Sequence, residues 1–121
     1  MTDAITRVIK KKPKKISPTQ LTLKHLRGQG YMAAVVEHWN PHARIRQDLF
    51  GIIDVLAVGV GDGDGITVGV QSTSLANLSS RIKKMAASDS IAELRKAGWM
   101  ILAHGWKKVG GRWQLKEVDL S

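Results

Sequence analysis

The sequence predicts a single α/β domain in which a mixed central sheet is flanked by helices. Three observations carry that expectation. Apolar residues recur at helical spacing around residues 21–26 and 75–85. Short runs rich in Val, Ile and Ala, bounded by Gly, Asp and Asn, read as strands. The two patterns alternate as helix, three strands, one or two helices and two strands, which demands at least one crossover. A chain of 121 residues suits one domain and buries roughly two thirds of its unfolded surface.

Each element has a local reason. Ser17 is an N-cap with Pro18 at the first helical position, and Gln20 completes a capping box. Leu21, Leu23 and Leu26 give that helix its apolar contacts, and Gly28 or Gly30 stops it. Residues 31–39, YMAAVVEHW, read as a strand, and NPHARIRQD as a polar, Arg-rich loop. LFGIIDVLAVGV and ITVGV read as strands joined by a glycine- and aspartate-rich turn over residues 61–65. Next comes a helix with Leu75, Leu78, Ile82 and Met85 on one face and Arg81, Lys83 and Lys84 on or beside the other. A short helix follows, capped by Ser88 or Asp89 and stopped at Gly98. WMILAHGWKK and RWQLKEVDL, joined by Gly110 and Gly111, form the closing hairpin.

Charge points to the partner. Lys and Arg number 19 against 10 acids, a net +9, and they cluster, which favours a polyanion and above all nucleic acid. Residues 1–16 read as a flexible basic arm carrying Lys10, Lys11, Lys12, Lys14 and Lys15, and residues 17–121 as the folded domain. Such an arm suits sequence-independent phosphate contact, against the plainer reading of a solvated tail. No apolar stretch is long enough for a membrane helix, and no secretory signal is expected. The absence of cysteine excludes disulfides and thiolate metal sites and fits a reducing interior. The expected location is the cytoplasm, in association with a prokaryotic or phage nucleoid.

The candidate site comes from strand register. A turn centred near residues 62 and 63 sets Asp54 across from Gln71, and Thr73 projects to the same side as Gln71. A loop centred near Ile45 and Arg46 sets Glu37 opposite Asp54. Glu37, Asp54, Gln71 and Thr73 then converge across three adjacent strands. A buried carboxylate needs a partner or a metal. Arg44 or Arg46 is the structural candidate; alternatively two carboxylates and an amide oxygen form a hard-oxygen set for Mg²⁺ or Mn²⁺. For Glu37 the plain alternative is an ordinary strand residue at the sheet margin.

The order of elements, with DLFGIIDVLAV, VGVQSTS and a following basic helix, resembles the PD-(D/E)XK nucleases, and most closely their small Holliday-junction-resolvase-like and VRR-Nuc-like members. The likeness spans residues 17–108. It implies a restriction-endonuclease-like αβββαβ core and Mg²⁺- or Mn²⁺-dependent hydrolysis of duplex or branched DNA by a homodimer. Asp54 matches the family's metal-binding Asp and Gln71 its Glu/Gln position, with Glu37 in support. Thr73 stands where the family has Lys and lacks that charge. Either Lys83, Lys84 or Lys24 reaches in, or the fold serves as a DNA- or RNA-binding module. A weaker reading is a basic structural protein of a nucleoprotein particle. Arg44, Arg46, Arg81, Lys83, Lys84 and the arm would grip the phosphate backbone.

Other signals are weaker. GDGDG, with Asp62 and Asp64, lacks the oxygens of a calcium loop and reads as a turn. His38 and His42 flank Pro41, which denies them helical alignment, so zinc is not expected. The four tryptophans read as core or strand-edge residues, with Trp113 across the terminal hairpin and Trp39 the alternative candidate for stacking on a base.

Overall fold

Helix α1 (Pro18–Gly28) starts as its cap predicts: the Ser17 hydroxyl accepts from the Gln20 N–H at 3.2 Å. The computed structural model describes residues 15–59 and 65–121. Arm residues Lys10, Lys11, Lys12 and Lys14, and Asp62 and Asp64 of the turn, lie outside the described residues.

The strands are β1 (Met32–Val35), β2 (His38–Asn40), β3 (Ile45–Gln47), β4 (Val55–Val58), β5 (Thr67–Ser74), β6 (Met100–Val109) and β7 (Arg112–Asp119). Five of them form one mixed sheet in the order β1-β4-β5-β6-β7, with only β5 and β6 parallel. The crossover between that pair is a 3-10 turn (Leu75–Asn77) followed by α2 (Leu78–Ala86) and α3 (Asp89–Lys96). Among the described residues, strands β2 and β3 pair only with each other, as a separate ribbon. The chain is therefore mixed α/β, with three helices among the described residues.

Alternation along the strands sorts side chains into two cores. Leu23 and Leu26 of α1 pack with Val55, Ala57, Val68, Val70 and Leu102 on one face. Leu78, Met85, Ile91 and Leu94 pack with Ile53, Ile101 and Ala103 on the other. Gly105 permits the close approach of the crossover to β6. A Cβ there would stand 2.9 Å from Leu78 Cδ2 and 3.2 Å from Leu75 Cα.

Two segments depart from the expected strands. Residues 31–39 are broken at Val36 and Glu37, so β1 stays in the main sheet while β2 leaves it. The Arg-rich segment is not a loop throughout. Asn40 Oδ1 accepts from His42 N at 3.0 Å and Ala43 N at 3.1 Å, closing a turn that returns the chain as β3. Residues 49–54, expected as strand, form a tight turn instead. Phe50 (φ 55°) and Gly51 (φ 77°) are both left-handed, and Leu49 bridges Ile53. Trp39, expected in the core, is 56% exposed on the ribbon.

Candidate metal centre

Asp54 sits one residue before β4, on a buried backbone held by Val70. Its N–H donates to Val70 O at 2.9 Å, which continues the Val55–Val70 pairing and sets Asp54 across from Gln71. The expected register holds here. Both side chains lie on the α2 face, and Gln71 Nε2 donates to Asp54 Oδ2 at 2.5 Å. The Ser72 N–H donates to the same oxygen at 2.9 Å. These two donors occupy Oδ2 and leave Oδ1 without them.

Glu37 arrives by a different route from the one its spacing implies. Because Val35 pairs with Val55, Val36 lies opposite Asp54, its N–H donating to Asp54 O at 2.8 Å. The intervening segment is a ribbon and a turn rather than a simple hairpin loop, so a register counted through it slips by one. Glu37 still reaches Asp54 because it occupies the break between β1 and β2, free of the pleat. The third carboxylate is Asp48, which spacing did not reveal. It follows β3 and enters the left-handed turn, where the Gly51 N–H donates to Asp48 O at 3.0 Å. One oxygen from each of Glu37, Asp48 and Asp54 lies within 4.8 Å of the others. The only sequence signal for Asp48 is a carboxylate directly before an apolar run.

Electrostatics follow from this crowding. Burial, a hydrogen bond with Asp48 and the charges of Asp48 and Glu37 push the Asp54 carboxyl up to about 8, against the Ser72 N–H, which lowers it. Arg46 does not neutralise Asp54; its Nη1 lies 3.5 Å from Glu37 Oε1. Gln71 Oε1 is buried and, among the described residues, has no hydrogen-bond partner. Exchanging the amide oxygen and nitrogen would bring two oxygens together. Only a proton on Asp54 or a cation among the carboxylates makes that arrangement favourable. The donor set fits a hard divalent cation: three carboxylates lie within reach of one another, and exchanging the Gln71 amide would turn its oxygen toward Asp54.

The other expected residues divide. Thr73 is buried two residues beyond Gln71, on the same face by alternation. Lys84 of α2 is exposed and shares a pocket of about 350 Å³ with Asp48, His38, Arg46, Gln47 and Gly51. Lys83 is exposed and Arg81 half-buried on the same helix. Lys24 lies on α1, whose packing is with the opposite sheet face, so it is not placed to serve the cluster. Arg44 is exposed in the ribbon turn with φ 54°, and Lys15 is exposed before α1.

A second polar cluster lies under α1. His104, fully buried, places Nε2 2.8 Å from Glu117 Oε2 and Nδ1 3.0 Å from Thr22 Oγ1. Thr22 Oγ1 also receives the Trp106 indole N–H at 3.0 Å and lies 2.8 Å from Ser72 Oγ. One proton arrangement satisfies all of them: Ser72 donates to Thr22, Thr22 to Nδ1, and Nε2–H to Glu117. Burial lowers the His104 pKa from its ordinary 6.5, while Glu117 opposes that effect. Ser72 thus joins both faces, by its hydroxyl to this cluster and by its N–H to Asp54.

No family model, curated protein or solved structure matches this chain. Among the described residues no helix is long and apolar enough to cross a membrane.

Proposed function

We propose that the chain is a divalent-cation-dependent DNA endonuclease on a restriction-endonuclease-like core, acting on duplex or branched DNA. One observation carries the reading: Glu37, Asp48 and Asp54 bring ligand oxygens within 4.8 Å of one another, next to a Gln71 amide whose oxygen has no partner among the described residues. Asp54, Glu37, Asp48 and the Gln71 amide oxygen are the residues that would hold Mg²⁺ or Mn²⁺. When bound, such a cation supplies charge that polarises a phosphate and acidifies the attacking water. The chain's own part is to fix those oxygens rigidly, through the Ser72 N–H and the β4–β5 register. Lys84, at the rim with Asp48, is the cation that stands in for the family's strand lysine. The net charge of +9 supports a polyanionic substrate, and a homodimer at the nucleoid is part of the same proposal.

A second reading rests on Thr73. A buried neutral hydroxyl at the lysine position favours a nuclease fold retained for DNA or RNA binding. Labelled duplex and four-way-junction DNA incubated with Mg²⁺ or Mn²⁺ separates the two. Cleavage that is lost in Asp54→Asn supports the enzyme. Tight binding without cleavage by the wild-type protein selects the binding module.

A further inference from the structure

The β2–β3 ribbon springs directly from the acidic cluster. Glu37 immediately precedes β2 and Asp48 immediately follows β3, so two of the three carboxylates bracket its base. Its ten residues, HWNPHARIRQ, contain two arginines and no acid. Trp39 pairs directly with Arg46, and cross-strand partners project to one face. Arg46 reaches the carboxylates from this face, its Nη1 3.5 Å from Glu37 Oε1. Trp39 is two residues from Glu37, about 7 Å along a strand. More than half of it is open to solvent.

We infer that Trp39 and Arg46 form a stacking platform for an unpaired base of DNA whose adjacent phosphate lies at the carboxylate cluster. The inference rests on the nuclease reading and names its substrate class: DNA with a single-stranded or unpaired nucleotide at the attacked position. An indole face with a guanidinium alongside accepts any base, but only one that is not already stacked in a duplex. A protein partner fits less well. Ile45, the other large exposed apolar side chain of the ribbon, pairs with Asn40 and so projects to the face opposite Trp39. Arg46, directly across the ribbon from Trp39, and Arg44 in its exposed turn instead supply charge suited to a phosphodiester backbone.

The test uses the full chain in a chelating buffer, with fluorescein-labelled oligo-dT and a blunt duplex of equal length as probes. Trp39→Ala should weaken oligo-dT binding by at least about fivefold and alter duplex binding by less than about twofold. Trp39→Phe should retain most of the single-strand affinity, and the emission lost in that variant should be the part that oligo-dT quenches. Circular dichroism should show all three proteins equally folded, since Trp39 lies outside both cores. Equal losses for both probes, or no loss for either, overturn the platform while leaving the nuclease reading in place. A concentration-dependent dimer that Trp39→Ala abolishes assigns the face to a second copy and likewise overturns it. Wild-type protein that binds neither probe also overturns the platform, while cleavage with Mg²⁺ or Mn²⁺ decides the nuclease reading separately.

Discussion

Gln71 donates its amide to Asp54 across the β4–β5 register, and that contact leaves a buried amide oxygen with no partner among the described residues. The arrangement satisfies Asp54 at the expense of Gln71. Asp48 and Glu37 crowd the same space, so without a cation Asp54 holds its proton up to about pH 8.

A pH dependence follows. The Asp54 carboxyl titrates near 8 in the folded chain against 3.8 ordinarily, so between those values the folded state binds more protons than the unfolded one. The resulting stability is full below about pH 4 and is lost as pH rises through about 8. In chelator, urea midpoints should decline over that window. Asp54→Asn, which can still accept from Gln71 and Ser72, should flatten the decline. A midpoint that rises steadily from pH 4 to 8 in both proteins would contradict the carboxylate crowding.

His104 predicts the opposite trend from the other face of the sheet. Buried neutral, it refuses a proton that the unfolded chain accepts, so its contribution falls as pH drops below 6.5 and is present above it. Removing the imidazole takes one hydrogen bond each from Thr22 and Glu117 and opens a cavity. His104→Ala should therefore cost about 2–4 kcal/mol in chemical denaturation at neutral pH and weaken the acid sensitivity. Imidazole nitrogen shifts should show the proton on Nε2, facing Glu117; a proton on Nδ1 in the neutral form would contradict the proposed direction of the chain.

Lys84 separates catalysis from binding. If it supplies the charge that Thr73 lacks, Lys84→Ala should slow DNA cleavage by about 10²–10³-fold and leave Mn²⁺ affinity unchanged. Lys24→Ala, on the opposite layer, should cleave normally. Thr73→Lys should then be neutral or harmful, since it introduces a long cation into a closely packed position. A large gain of activity from Thr73→Lys would instead show that the wild-type site lacks its lysine.

The parts of this fold legible in the sequence are those set by local rules. Ser17, Pro18 and Gln20 fix the start of α1, and the apolar spacing of Leu78 and Met85 sets the buried face of α2. Asp54 and Gln71 could be paired by counting because one short turn separates their strands. Counting failed for Glu37, where a ribbon and a left-handed turn intervene and shift the register by one. Asp48 was illegible because its place depends on Phe50 and Gly51 adopting positive φ in succession. Trp39 defied the usual burial of aromatics because its ribbon leaves the sheet and, among the described residues, has no layer to cover it. His104 gave no local sign at all: its partner Thr22 is 82 residues away, and only the stacking of α1 on the sheet brings them together.

The most direct test of the cation centre is calorimetric titration of Mn²⁺ into the full chain, below and above pH 8, in buffers of different ionisation enthalpy. The account predicts one site per chain, displacement of about one proton on the low-pH side, tighter binding on the high-pH side, and loss of the site in Asp54→Asn. Binding of equal strength in wild type and Asp54→Asn, or no binding by the wild-type protein at either pH, would contradict it.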